Sequence, residues 1–392
     1  MTSETKSVKF TNSQASVLLD LVRALAAFLV LISHWKIMFF VDYPQIPVHR
    51  IWFAAPYVFA SAGHQSVLIF FILSGYLISG SIFRSLEGGF WQWRSYLTHR
   101  FVRLYVVLVP GLLLGAFFDW IGLHHTHFPD LFNGISAKSH HIDIASTFSL
   151  PSFLGNLAFL QTILVPTFGS NGALWSLANE FWYYLLFPLG LLAWRRATPG
   201  SLRVLYAGMF LAIAWLVRKD ILPLFPVWLA GTLLTRLPRL SLGTAARILA
   251  TLVYLPLIFY FSKTSMEPAV KGDYIFGLIT FLFMWVLLSA SGSAGNSRGV
   301  HLIRQGARFS FTLYVTHMPA LLFLTALVAG DQLWPPNSLY HEAVALSVLA
   351  ILLAFAYGIA ALTEFHTDSV RRSIEKLLNK CSPLTPANEP QN

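Results

Sequence analysis

Charge is what this sequence lacks most. Of its 392 residues, 11% are Asp, Glu, Lys or Arg, while 56% are hydrophobic. One core stops growing near this chain length and a soluble surface must be polar. The scarcity of charge therefore excludes a soluble enzyme and leaves a membrane protein whose outer surface faces lipid. Cysteine is scarcer still: Cys381 is alone, so no intramolecular disulfide can form. Acids are outnumbered, 17 against 27 basic residues. The net charge of +10 would suit a nucleic-acid binder if the Lys and Arg clustered on one aqueous face. They sit instead in short loops between apolar blocks, so no nucleic-acid partner is expected. Internal repeats, low-complexity tracts and an appended soluble domain are also absent from the pattern.

What is present is a series of ten apolar runs, near 17–40, 65–83, 101–118, 173–194, 203–217, 221–235, 246–262, 274–291, 309–329 and 341–362. Each approaches the ~20 residues a helix needs to cross a bilayer. The expected fold class is all-α, a polytopic integral membrane protein with about ten transmembrane helices. The first run is too long for the apolar core of a cleavable signal peptide and is read as a retained helix. Basic residues fall mostly in alternate loops: Arg84, Arg94, Arg195, Arg196, Arg236, Arg239, Arg298, Arg304, Arg371 and Arg372 share one side. By the positive-inside rule that side is the cytoplasm and both termini lie there. A shorter run, 153–165, would flip every later loop if it crossed, so it is expected to be re-entrant or interfacial. The organisation is then a cytoplasmic segment 1–15, a transmembrane domain 16–372 with an outer loop at about 119–172, and a cytoplasmic tail 373–392 that ends in disorder.

Ionisable and polar groups inside such spans are costly and face a cavity or a partner. In "LVRALAAFLVLISHW", Arg23 and His34 are eleven residues apart. That spacing puts them on one helical face, ~16 Å apart along the axis. Arg23 at a mouth suits a phosphate, as a planar and permanently charged fork. His34 at depth suits proton transfer near neutral pH. The plainer reading has Arg23 reaching lipid headgroups and His34 resting at the interface beside Trp35 and Lys36. Ser74-Gly75 in "FFILSGYL" permits close approach of another backbone. Arg100 and Arg103 share one face at a helix entrance, where they anchor the helix or meet a ligand phosphate. "SNGALWSLANEFWYY" brings Asn171, Trp175, Ser176, Asn179, Tyr183 and Tyr184 around Glu180, the one acid of its span. In "SFTLYVTHMP" the spacings of four and three place Ser310, Tyr314 and His317 on one face, which suggests a lined cavity. Five histidines, His124, His125, His127, His140 and His141, fall in the outer loop without a metal-ligand spacing, so no metal is expected.

Taken in order, Arg23-x10-His34, "FFILSGYL", the Arg100/Arg103 pair, "NGALWSLANEFWYY" and "SFTLYVTHMP" resemble the membrane-bound acyltransferase family 3 over about residues 16–372. These are bacterial O-acyltransferases of surface glycans and related acceptors. The resemblance implies an inner-membrane O-acyltransferase, with acetyl-CoA or another acyl-CoA as donor on the cytoplasmic side. The acceptor would be a hydroxyl on a glycan or lipid-linked sugar outside. It makes His34 the essential residue; we read His34 as general base or transient acyl carrier and Glu180 as the catalytic-site carboxylate that orients it or binds the acceptor. Arg23, Ser74, Gly75, Arg100 and Arg103 would hold the donor, and Asn171, Trp175, Ser310, Tyr314 and His317 the acceptor. The chain departs from the family pattern at His99 and Val106 and in the late Glu364-Phe365-His366, which bears on the donor grip and the last helix end. A transporter or flippase for an acylated or polyprenyl-linked sugar is the rival reading, since midplane polar groups suit it too.

Overall fold

The computed structural model describes residues 13–47, 50–125, 127, 129–133, 143–264 and 269–381, and these residues form helices and isolated bridges with no named strand. Ten helices coincide with the ten apolar runs. They are α1 (Gln14–Phe39), α2 (Gly63–Glu87), α3 (Trp93–His125), α4 (Trp175–Trp194) and α5 (Gly200–Leu216), followed by α6 (Phe225–Leu234), α7 (Thr244–Lys263), α8 (Ala269–Leu287), α9 (Arg298–Ala329) and α10 (Leu339–Leu362). Seven are long and apolar enough to cross a membrane on their own: α1, α2, α3, α7, α8, α9 and α10. Helices α5 and α6 are apolar but shorter, and α4 carries Asn179 and Glu180 in its first half. An amphipathic helix, α11 (Thr367–Cys381), continues into the region expected as tail. The terminal stretch expected to be disordered lies beyond residue 381, outside the described residues.

Apolar patterning explains the layers. Helix α9 sits centrally, against α1, α3 and α10, and its middle from Thr312 to Leu322 is buried. Helices α5 and α7 turn Val204, Leu211, Leu249 and Leu252 outward, as lipid-facing helices do where no water must be faced. Helix α2 crosses α6 with almost no side chain between them. A Cβ on Gly75 would strike the carbonyl oxygen of Trp228, and one on Gly231 would strike that of Ile72. This is the small-residue crossing anticipated at Ser74-Gly75.

Proline positions the rest. Pro319 in α9 has no N–H to give Val315, and the side-chain amide of Asn171 donates to that orphaned carbonyl at 2.8 Å. Pro188 in α4 likewise orphans the carbonyl of Tyr184, and the hydroxyl of Tyr96 donates to it at 2.9 Å. Both helices thus keep their backbone satisfied inside a dry interior.

The structure adds detail to two segments. Helix α3 runs to His125, so the outer loop expected from about 119 begins with two further helical turns. The 153–165 segment is not one crossing helix. Helix Leu150–Leu157 ends there, and left-handed Phe159 (φ 57°) and Thr162 (φ 67°) fold the chain back in turns. The Phe159 ring stacks on Phe181 with centroids 4.3 Å apart, and its carbonyl accepts from Trp182 Nε1 at 2.9 Å. The segment is a packed plug over α4.

Candidate active site

A cavity of about 230 Å³ lies between α1, α2, α3, α4 and α9. The elements deliver its polar lining from separate parts of the chain: Arg23, Ser74, Arg100, Arg103, Ser176, Glu180, Tyr184, Ser310 and Tyr314. Val67, Phe70, Phe71, Leu73, Leu77 and Leu104 form the apolar wall. Three guanidinium groups against one carboxylate make the lining net cationic. Arg23 lies 3.8 Å from Asp20 on the same helix face and within the field of Arg103, Glu364 and Glu180. Arg100 donates to Ser81 Oγ at 3.3 Å and lies over the rings of Tyr96 and Tyr184 at 5.6 and 5.8 Å. Its buried Nε has no partner, which is unusual for a cation in a low-dielectric wall and suits an incoming anion.

Glu180 is held from two sides. The hydroxyl of Tyr184, one turn along α4, donates to Oε1, and Ser74 Oγ donates to the same oxygen at 3.2 Å. Ser74 in turn accepts from Trp228 Nε1 at 3.2 Å. Next to it, Ser176 Oγ and Tyr314 Oη are 2.6 Å apart, and Tyr314 also donates to the Ala173 carbonyl at 3.0 Å.

His34 and His317 meet beyond Tyr314. Nδ1 of His34 lies 3.0 Å from Nε2 of His317, with ring centroids 5.1 Å apart. His317 is buried and His34 partly so. Helix periodicity accounts for this: α1 carries Arg23 and His34 on one face, and α9 carries Ser310, Tyr314 and His317 on the facing one. The two helices therefore share a polar seam. The arginine end opens to the cavity and the imidazole end lies past Tyr314, whose ring meets Phe70 edge-on at 6.0 Å.

Other candidates lie elsewhere. Gly75 is at the α2–α6 crossing rather than in the cavity wall. Asn171, expected to bind acceptor, lies outside the cavity lining; its side-chain amide donates to the Val315 carbonyl, while its buried Oδ1 has no partner. Trp175 stacks on His64 at 6.2 Å and meets Phe71 edge-on. His99 bonds Glu375 of α11 at 3.0 Å. Glu364 accepts from both the backbone N–H (3.0 Å) and the hydroxyl (2.8 Å) of Thr312, which ties the chain after α10 to the middle of α9. His124 lies 2.8 Å from the Trp120 carbonyl oxygen, and His140 and His141 lie outside the described residues. Among the described residues no group of three or more His, Cys, Asp or Glu could hold a metal. Sequence reasoning missed the direct contact of the two histidines. Ser176 and Tyr184 were visible in their motif, but nothing local set them apart from its other polar and aromatic residues.

Fold and site together define a class: a multi-pass helical membrane protein with a cationic cavity and, past Tyr314, two histidines in contact. The chain belongs to the acyltransferase family 3, whose model, described as an acyltransferase domain, matches residues 17–361. An O-acetyl transferase of Shigella phage Sf6 is 31% identical over 170 residues, 43% of each chain. An uncharacterised protein of Haemophilus influenzae is 29% identical over 123 residues, 31% of this chain and 46% of its own. The chain thus spans less than half the length of these relatives. No solved structure matches it.

Proposed function

We propose that this protein is an O-acyltransferase, an acetyltransferase foremost, of the bacterial inner membrane. It moves the acyl group of cytoplasmic acyl-CoA to a hydroxyl of a cell-surface polysaccharide or other glycan precursor. The observation that carries this reading is the polar seam itself, with Arg23, Arg100 and Arg103 in one cavity and His34 outside its lining, past Tyr314. The relative named O-acetyl transferase supports the same chemistry.

The donor carries phosphates and a thioester at opposite ends of one extended chain, and the seam offers arginines toward one end and His34 toward the other. Arg23, Arg100 and Arg103 hold the phosphates by charge-assisted hydrogen bonds. Glu180, kept in place by Ser74 and Tyr184, accepts from amide N–H groups of the donor arm or from an acceptor hydroxyl. His34 then removes the proton of the acceptor hydroxyl as its oxygen forms a bond to the thioester carbonyl carbon. The carbon–sulfur bond breaks as the tetrahedral intermediate collapses, and His34 returns the proton to the departing thiolate. The products are the ester and the free thiol, and the histidine ends as it began. General base catalysis of this kind contributes about 10²–10⁴-fold.

The test is acyl transfer from radiolabelled acetyl-CoA to lipid-linked oligosaccharide in proteoliposomes. Wild-type protein should label the acceptor and His34→Ala should not. Transfer by His34→Ala at the wild-type rate would overturn the mechanism, and acceptor movement without thiol release would favour the transporter.

A further inference from the structure

We infer that His317 is a positioning residue: it selects the tautomer of His34 and leaves the lone pair of the neutral His34 ring on Nε2. His317 makes two links in series, from two carbonyl oxygens at its Nδ1 to His34 at its Nε2. Nδ1 of His317 lies 2.8 Å from the carbonyl oxygen of Tyr314 and 3.1 Å from that of Leu313. A carbonyl oxygen only accepts, so Nδ1 carries the hydrogen. A neutral imidazole has one N–H, so Nε2 of His317 is an acceptor. It sits 3.0 Å from Nδ1 of His34. That contact needs one hydrogen, and only His34 is left to supply it. With its hydrogen on Nδ1, a neutral His34 keeps its lone pair on Nε2.

The other assignment requires a doubly protonated His317. Its side chain is 1% exposed, and among the described residues no carboxylate forms an ion pair with it. A buried and unpaired imidazolium is far costlier than the neutral chain of hydrogen bonds. The anchor of the series is also fixed in place. Both carbonyls belong to the same helix as His317. Two residues further on, Pro319 would loosen that helix if Asn171 did not satisfy the Val315 carbonyl. His317 is thus held by its own backbone, and it imposes its polarity on the ring across the seam. A glutamine could do the same work, because its side-chain oxygen accepts from an N–H; a phenylalanine of similar size could not.

The consequence for transfer rests on the acyltransferase reading above, whereas the tautomer itself does not. The two are separable in one set of samples. Full-length protein labelled with ¹⁵N-histidine in lipid nanodiscs, with His34→Gln to assign the signals, reads the protonation of each ring nitrogen directly. At a pH where His34 is neutral, its Nδ1 should give a protonated, pyrrole-type signal and its Nε2 an unprotonated, pyridine-type one. His317→Gln should preserve that pattern, and His317→Phe should shift His34 toward the Nε2–H form. In the transfer assay, His317→Phe should lose about 10²–10⁴-fold in kcat, with the donor KM little changed. His317→Gln should recover at least a tenfold part of that loss. Donor binding and elution as a single monodisperse species confirm that both variants fold. An Nε2-protonated His34 in the wild type overturns the inference whatever the activity shows. So does a His317→Phe protein with wild-type kcat. If His34→Ala transfers normally while the nitrogen signals are as expected, the catalytic role given to His34 fails and the tautomer assignment stands.

Discussion

A single methyl group at Gly75 should loosen the protein at its tightest point. The added Cβ would collide with the carbonyl oxygen of Trp228 and come within 3.1 Å of its carbonyl carbon and 3.3 Å of the Gly231 Cα. All three are backbone atoms, so no side chain can rotate away. To restore the ~3.3–3.6 Å of an ordinary C–H···O contact, α2 and α6 must part by on the order of 1 Å. Overpacking of a close-packed interior costs about 1–3 kcal/mol, and a collision of two backbones belongs at the upper end. Gly231→Ala meets the Ile72 carbonyl at the same crossing and demands the same separation. The double variant should therefore cost little more than the worse single one, a large departure from additivity. Gly80→Ala is the control on the same helix. Its Cβ would have Arg84 Nη1 at 3.5 Å and Thr235 Cγ2 at 3.6 Å, ordinary contacts, and alanine brings up to ~1 kcal/mol of helix propensity. The crossing also carries the Trp228–Ser74 hydrogen bond that supports Glu180, so Gly75→Ala should reduce transfer as well. Reversible unfolding in mixed detergent micelles measures the stabilities, and labelled acyl transfer measures the site. Additive single and double variants, or an unchanged Gly75→Ala protein, would refute the reasoning.

Asn171→Ala should lose about 1–3 kcal/mol because the Val315 carbonyl is left buried and unpaired. Pro319→Ala in the same chain restores a helical N–H to that carbonyl, so the double variant should regain most of the loss in the same unfolding assay. Arg23→Gln and Arg103→Gln should each raise the donor KM about 10- to 100-fold, the worth of a charge-assisted hydrogen bond, with a smaller effect on kcat. The wild-type KM should rise with salt and the variants' less so, as steady-state kinetics across ionic strength would show. Glu180→Gln keeps the shape but halves the acceptor strength for Tyr184 and Ser74. It should lower transfer more than stability, and equal losses in both would count against a role in the site.

What the sequence makes legible is local to single helices. Arg23-x10-His34 was readable as a shared face because helical periodicity is local, and the facing stripe of Ser310, Tyr314 and His317 was readable for the same reason. The ten apolar runs were readable because lipid imposes length and composition on any helix exposed to it. Asn171 and Trp175 were readable only as polar and aromatic residues near a mouth, and the structure gives them other partners. Nothing local in "SNGALW" reveals that Pro319, nearly 150 residues on, leaves a carbonyl for Asn171. The same holds for the meeting of His34 and His317, and for Glu364 reaching Thr312.

The sequence alone determined that the chain is a helical membrane protein, which faces of its helices are polar, and which family its motifs resemble. Those properties depend on spacing within one helix and on the solvent around it. The tertiary structure decided which polar faces look at each other, which candidates enter one cavity, and that two histidines from distant helices meet. Those depend on contacts between segments far apart in the chain, where distance and donor–acceptor polarity, not residue type, assign the roles.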